Sequence, residues 1–130
     1  MAKKILIVDD EIQLVEMVKM RLEAAGYEII SAYDGQEGFD KAKKDKPDLI
    51  ILDLMLPRMD GYKVCALLKK DARHSSIPII MFTAYPATII MEEAEKLGVS
   101  SFIPKLSAYT DVAMSLRAAI DMAIKNISGK

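Results

Sequence analysis

Two short runs of aliphatic residues in this chain end directly at aspartate. The run within Lys4–Val8 is followed by Asp9 and Asp10, and the run within Asp48–Leu52 is followed by Asp53. Residues that are apolar at successive positions, rather than at alternate ones, are typical of a strand with both faces buried in a parallel sheet. The two runs therefore predict central strands of an α/β domain, with acidic side chains at their carboxyl ends.

The rest of the chain alternates between strand and helix patterns. Further strands are predicted where apolar or β-branched runs are bounded by turn residues, at Tyr27–Ala32, Ile77–Phe82 and Ser101–Ile103. Helical spacing of apolar residues, with Gly or Pro at the ends, predicts helices over Glu11–Ala25, from Asp34 to before Pro47, and over Tyr62–Lys70, Pro86–Gly98 and Ala108–Ile127. This alternation predicts a doubly wound five-stranded parallel sheet with helices on both faces.

Length and composition predict one domain. The chain has 130 residues, so we expect a single domain over 1–130, with its core at about 3–127 and no output domain. A net charge of -1 and a pI of about 5.8 do not favour direct contact with nucleic acid. The single cysteine, Cys65, excludes an intrachain disulfide and is expected in the core. Without a signal peptide or an apolar run of membrane-spanning length, a cytoplasmic protein is expected.

The carboxyl ends of the predicted strands collect groups suited to phosphoryl transfer. Thr83 ends the fourth strand and Lys105 follows the fifth, at the same sheet edge as Asp9, Asp10 and Asp53. Carboxylates this close repel each other, and a hard divalent cation such as Mg²⁺ removes that cost. A carboxylate nucleophile, a metal, a hydroxyl and an ammonium group are the parts that phosphoryl transfer to a protein side chain requires.

The chain resembles a receiver domain of bacterial two-component response regulators over nearly its whole length. The segments that carry the resemblance are Ile5–Glu11, Asp48–Pro57, Met59–Gly61, Thr83-Ala84 and Pro104-Lys105. The resemblance implies a flavodoxin-like fold with strand order 2-1-3-4-5. It also implies a protein that is not a conventional enzyme and works in phosphorelay signal transduction. In that role it accepts a phosphoryl group from a histidine kinase or phosphotransfer protein.

The same resemblance implies which residues carry the chemistry. Asp53 is the expected phospho-acceptor. Mg²⁺, or Mn²⁺, is expected to be bound by Asp10 directly, by Asp9 through water, by Asp53 and by the backbone carbonyl of Met55. The phosphoryl oxygens are expected to be held by the side chains of Thr83 and Lys105, with backbone contacts from Met55 and Ala84.

A signalling switch is also implied. Movement of Thr83 toward the phosphoryl group would let Phe102 turn inward, which would alter a face made of the fourth helix, the fifth strand and the fifth helix. A downstream protein is the expected partner of that face. The last helix is apolar on more than one side, so a homodimer is a further expectation.

Four single residues carry further expectations. Leu106 stands where the family usually has proline, so the Lys105–Leu106 bond is either cis under strain or trans with Lys105 aimed differently. Met55 and Tyr85 each lie two residues beyond a site residue. We expect them to hinder an attacking water and to lengthen the lifetime of the phosphoryl group. His74 stands alone in a polar loop and is expected at the surface.

Three other functions compete with this one, and the residues argue against the first two. A metal-dependent phosphohydrolase would carry a second Asp where Met55 stands. A nucleotide- or flavin-binding protein would need a glycine-rich phosphate loop where Asp9–Glu11 stands. A pseudo-receiver that binds partners without taking phosphate is disfavoured by the complete acidic set, but the missing proline at Leu106 leaves it open.

Overall fold

Five parallel strands form one sheet in the computed structural model, which describes residues 2–84, 96, 98–99, 101–105 and 109–128. The strands lie in the order β2-β1-β3-β4-β5, with β2 at one edge and β5 at the other. In chain order they are β1 (Lys4–Val8), β2 (Glu28–Ala32), β3 (Leu49–Leu52), β4 (Ile79–Thr83) and β5 (Ser101–Pro104). The predicted α/β class with a parallel sheet is confirmed, and the pairing of β5 with β4 completes the predicted order.

Helices connect the strands as expected for a doubly wound sheet. They are α1 (Ile12–Ala24), α2 (Gly35–Asp45), α3 (Gly61–Lys70) and the C-terminal helix (Tyr109–Ser128). The helix predicted over Pro86–Gly98, which belongs to the proposed switch face, lies outside the described residues except at Lys96 and Gly98. Within the described part of the chain, no helix combines the length and apolarity needed to cross a bilayer.

The sheet has one apolar cluster on each face, because successive side chains of a strand point to opposite sides. On one face, Ile5 and Ile7 of β1 pack with α1 and with Leu116 and Ile120 of the C-terminal helix. On the other face, residues of β1 and β3 pack with α2 and α3, and this cluster contains Cys65, which is buried as predicted. The sheet is therefore covered on both sides, and its carboxyl edge is left for polar side chains.

Aspartates begin two of the helices and also tie α1 to the edge of the sheet. Asp34 accepts a hydrogen bond from the N–H of Glu37 at 2.7 Å, and Asp60 accepts one from the N–H of Lys63 at 2.9 Å. Glu11, the N-cap residue of α1, makes no side-chain cap hydrogen bond. The start of α1 is held instead by Asp9, whose Oδ1 accepts from the N–H of Glu11 at 3.0 Å.

His74 is buried, so the expectation of a surface position is wrong. Only 3% of its surface is exposed. Its N–H donates to the carbonyl of Asp71 at 2.9 Å, and its carbonyl accepts from the N–H of Ile77 at 3.2 Å. Its Nδ1 lies 3.1 Å from Asp71 Oδ2. These contacts fold the segment back on itself and turn the imidazole ring toward the protein.

A polar contact holds the C-terminal helix at the end of the sheet opposite the carboxyl edge. The hydroxyl of Tyr27, just before β2, donates to Oδ1 of Asp121. Burial and the neighbouring Asp121 raise the pKa of Tyr27 to about 12. The phenol therefore stays protonated, and able to donate, well above the pH at which an unfolded tyrosine ionises.

The Tyr27–Asp121 contact predicts a pH-dependent loss of stability. We expect Tyr27→Phe to lower the free energy of unfolding by about 1 kcal/mol at neutral pH, because Asp121 loses its donor. Since the folded pKa lies above the ordinary value of 10.0, this contribution is present below pH 10 and is lost as the pH rises through about 12. Urea denaturation of wild type and variant across this range measures the difference.

Tyr33→Phe is the matched control. The hydroxyl of Tyr33 lies 3.4 Å from Oε1 of Glu16 in an exposed contact, so its loss is expected to cost less. A difference between wild type and Tyr27→Phe that stays constant up to pH 12 would contradict the assignment of the raised pKa to Tyr27.

Candidate functional site

The strand register brings the carboxyl ends of β1 and β3 side by side. Val8 pairs with Leu52, and the N–H of Asp53 donates to the carbonyl of Val8 at 3.0 Å. The residues that follow the two strands, Asp9 and Asp53, therefore lie at the same point of the sheet edge. Both are buried, with 0% and 4% of their surfaces exposed, whereas Asp10 is exposed.

Three carboxylates form a cluster at this edge. Oxygen atoms of Asp9, Asp10 and Asp53 all lie within 4.8 Å of one another. Asp53 is further oriented by the backbone N–H of Met55, which donates to its Oδ1 at 3.3 Å. Hard oxygen donors at this spacing, two of them on buried side chains, fit a divalent cation of the Mg²⁺ type. The donor set therefore suits the metal that the sequence predicts.

Lys105, the residue directly after β5, joins the cluster. Its Nζ lies 2.8 Å from Asp9 Oδ2, 3.0 Å from Asp53 Oδ2 and 3.2 Å from Glu11 Oε1. Its side chain is only 9% exposed. The position of Lys105 beside the aspartates is predictable from the sequence, but its contact with Glu11, 94 positions away along the chain, is not. One ammonium group thus offsets the charge of several carboxylates.

The cluster shifts the ionisation of its own members. Burial raises the pKa of Asp9 to about 6, although the hydrogen bond and charge of Lys105 act in the opposite direction. Burial alone would lower the pKa of Lys105, but the hydrogen bonds and charges of Asp9 and Asp53 outweigh it and raise the pKa. The ammonium group is therefore held in its charged form beside the carboxylates.

Thr83 ends β4 on the same side of the sheet. It is buried, and its carbonyl accepts a hydrogen bond from the N–H of Lys105 at 2.9 Å, which ties the end of β5 to β4. Ala84, the next residue, is exposed. The backbone of Phe102 lies in β5 opposite Met81. The structure thus places Thr83, Ala84 and Lys105 at the edge that carries the aspartates.

Some predicted features lie outside the described residues. Tyr85 and Leu106 are not described, and neither is the Lys105–Leu106 bond, so its cis or trans state stays open. The side chain of Phe102 is likewise outside the description, and the proposed inward turn of that ring stays a prediction.

The segment that follows Asp53 approaches α3 closely. A Cβ atom added to Gly61 would lie 2.1 Å from the carbonyl oxygen of Asp53, so a side chain does not fit there. The N–H of Gly61 donates to the carbonyl of Leu54 at 3.0 Å. An open cleft of about 430 Å³ borders the cluster and is lined in part by Asp10 and Met55. Of the three carboxylates, that of Asp10 therefore faces this cleft directly.

Comparison with known proteins identifies a family. Residues 5–117 match the model of the response regulator receiver domain. Among solved structures, the chain is similar to the chemotaxis response regulator CheY4 of Vibrio cholerae, with a TM-score of 0.81 and 29% identity over 92% of this chain and 99% of that one.

Curated relatives include longer regulators. The chain is 38% identical over 120 residues to the alkaline phosphatase synthesis transcriptional regulatory protein PhoP of Bacillus subtilis, covering 92% of this chain and 49% of that protein. It is 47% identical over 81 residues to the DNA-binding dual master transcriptional regulator RpaA of a Synechocystis strain, covering 62% of this chain and 34% of that protein. The chain thus spans about half the length, or less, of these relatives.

The opposing effects of burial and of Lys105 on the pKa of Asp9 can be tested by removing the charge of Lys105. We expect Lys105→Gln to raise the pKa of the Asp9 carboxyl above about 6, because the hydrogen bond and charge that oppose the burial effect are removed. A pH titration of the side-chain carboxyl carbons by ¹³C NMR, without metal, measures this value.

Lys41→Gln supplies the control, because Lys41 pairs with Glu37 on α2 and does not contact the cluster. This variant is expected to leave the Asp9 pKa at its wild-type value. An Asp9 pKa that does not rise in Lys105→Gln would show that Lys105 does not stabilise the ionised carboxylate.

Proposed function

The chain belongs to the response regulator receiver domain family, and on that basis we propose that Asp53 accepts a phosphoryl group from a phosphorylated histidine kinase or phosphotransfer protein. The observation that carries the proposal is the contact of Lys105 Nζ with Asp53 Oδ2 at 3.0 Å, beside two further aspartates at the same sheet edge. This combination supplies a nucleophile, a cation site and a donor for phosphoryl oxygens in one place.

The proposed step is a transfer from histidine to aspartate. An oxygen of the Asp53 carboxylate attacks the phosphorus, the phosphorus–nitrogen bond of the phosphohistidine breaks, and the imidazole leaves with the bonding electrons. Lys105 and Thr83 hold the phosphoryl oxygens, and the backbone at Met55 and Ala84 contacts the same group. Asp9 and Asp53 keep the Lys105 ammonium group charged, so it can interact with the oxygens of the incoming phosphoryl group.

The acidic cluster is the proposed metal site. Asp9, Asp10, Asp53 and the backbone carbonyl of Met55 would hold Mg²⁺ or Mn²⁺. When bound, the cation would neutralise charge on the carboxylates and on the phosphoryl oxygens. The close spacing of the carboxylate oxygens supports this role.

The proposed output is a change in the surface that binds a partner protein. Phosphorylation would draw Thr83 toward the new oxygens and allow Phe102 to turn. This would change the conformation of the face made of the helix predicted over Pro86–Gly98 (the fourth helix), β5 and the C-terminal helix (the fifth helix). A downstream protein or a second copy of the chain would bind this face, in the cytoplasm and without direct contact with nucleic acid. In this role the protein catalyses only its own phosphorylation and dephosphorylation.

Intact mass after incubation with Mg²⁺ and acetyl phosphate tests the proposal. We expect the wild type to gain the mass of one phosphoryl group and Asp53→Asn to gain none, because the amide is not a nucleophile. Removal of the divalent cation with EDTA is expected to abolish the modification of the wild type.

Asp40→Asn is the control, since Asp40 is an exposed aspartate on α2. This variant is expected to be modified like the wild type. Equal modification of wild type and Asp53→Asn, or modification of none of the proteins, would refute the proposal. Turnover of a phosphate ester by the wild type would favour a phosphohydrolase instead.

Met55 is expected to control how long the phosphoryl group survives. Its side chain is apolar and 55% exposed at the mouth of the site, where it can hinder an attacking water. We expect Met55→Asn to shorten the half-life of the phosphorylated protein several-fold, as measured by intact mass after the donor is removed.

Met20→Asn is the matched control, because Met20 is 70% exposed on α1 and lies far along the chain from Asp53. An equal half-life for wild type and Met55→Asn would count against the shielding role. Tyr85→Ala tests the second position that the sequence singles out.

A further inference from the structure

The loop between β3 and α3 contains a strained turn. The N–H of Met59 donates to the carbonyl of Pro57 at 2.8 Å, which closes a three-residue turn centred on Arg58. Arg58 has a φ of 70°, a left-handed conformation that is uncommon for a residue other than glycine. Such a conformation persists where the surrounding structure holds it in place.

The first turn of α2 provides the contacts. The N–H of Gly35 donates to the carbonyl of Pro57 at 3.2 Å. Asp34, which caps α2, also places its Oδ2 3.6 Å from Nε of Arg58. The N-cap residue Asp34 and the first residue of α2, Gly35, therefore contact the strained turn, Gly35 through the backbone and Asp34 through an ion pair.

Gly35 also sets how closely the loop approaches. A Cβ atom added at this position would lie 1.6 Å from the carbonyl oxygen of Met59 and 2.5 Å from its carbonyl carbon. Both are backbone atoms, so no side chain can rotate away to make room. With any residue larger than glycine at position 35, the loop or the start of α2 must move.

A displacement of this loop would also move Met55, whose backbone carbonyl is a proposed metal ligand. Met55 lies two residues before Pro57 in the same loop, and its N–H donates to Asp53 Oδ1 at 3.3 Å. A metal ligand must lie within about 0.2 Å of its required distance. A shift of the loop therefore changes whether the Met55 carbonyl can complete the site.

We propose that Asp34 and Gly35 are positioning residues that fix the loop after Asp53 and thereby set the affinity of the acidic cluster for a divalent cation. The inference rests on the proposed function, because it takes the cluster to be a metal site. It adds α2, an element without any proposed ligand, to the parts of the fold that determine metal binding.

Gly35→Ala tests the inference, with Gly38→Ala as the matched control. A Cβ atom on Gly38 would lie 2.6 Å from Cγ1 of Val8, a side-chain atom of β1, so both variants crowd the same helix, but only Gly35→Ala meets backbone atoms of the loop. Titration of ¹⁵N-labelled protein with MgCl₂, followed by amide shifts, gives the affinity. We expect Gly35→Ala to weaken Mg²⁺ binding by about tenfold or more, the usual cost of losing support for a metal ligand, and Gly38→Ala to bind like the wild type.

Hydrogen exchange of the wild type provides a test without substitution, and decides the matter if Gly35→Ala does not fold. Coupling between two sites is reciprocal, so if α2 supports the metal site, Mg²⁺ must stabilise the contact with α2. We expect Mg²⁺ to slow exchange of the Gly35 amide, which donates to the loop. The Gly38 amide, which donates to Asp34 within the first turn of α2, is expected to change less.

The outcomes separate this inference from the proposed function. If the wild type does not bind Mg²⁺, the proposed function itself fails. If the wild type binds Mg²⁺ and the two glycine variants bind equally well, the positioning role is refuted. Exchange at Gly35 that Mg²⁺ leaves unchanged would refute it as well.

Discussion

The ammonium group of Lys105 lies between the carboxylates of Asp9 and Asp53, and the rest of the site depends on this contact. Both carboxylates are buried at the end of apolar strands, where an unpaired charge would be costly. Lys105, directly after β5, supplies the compensating charge, and its backbone N–H donates to the carbonyl of Thr83, which fixes its position. Even so, burial raises the pKa of Asp9 to about 6, so the charge of Lys105 does not fully offset the cost of burying this carboxylate. Three carboxylates beside one ammonium group are a donor set that could hold a cation.

The apolar sheet fixes the positions of these carboxylates. The central strands β1 and β3 are covered by helices on both faces, and their register places Asp9 and Asp53 side by side. The loop after Asp53 packs Leu54 into one of the apolar clusters, and close backbone contacts hold it further. Glycines provide these contacts, Gly61 against the carbonyl of Asp53 and Gly35 against the carbonyl of Met59. The site thus combines side chains fixed by the sheet with a loop fixed by two neighbouring helices.

Local patterns were sufficient for the strands and for the acidic residues, because a buried parallel strand is apolar at successive positions and its end is marked by the first aspartate. Strand boundaries shifted for local reasons. The strand β4 begins at Ile79 rather than Ile77 because Pro78 lacks an N–H, and β2 begins at Glu28 because the N–H of Tyr27 donates to Leu22 at the end of α1. Contacts between distant parts of the chain could not be predicted from the sequence. The polar surroundings of His74 gave no sign of burial, and neither the Glu11–Lys105 pair nor the Gly35–Met59 approach has a local signature.

The central claim is that Asp53, among three neighbouring aspartates, carries the phosphoryl group. Borohydride reduction after treatment with Mg²⁺ and acetyl phosphate tests it most directly, because hydride converts an aspartyl phosphate to homoserine with loss of phosphate and so marks the modified residue permanently. Tandem mass spectrometry of the digested wild-type protein then locates the mark. The account predicts homoserine at position 53 and aspartate at positions 9 and 10. Homoserine at either of those positions, or at none of the three, would contradict it.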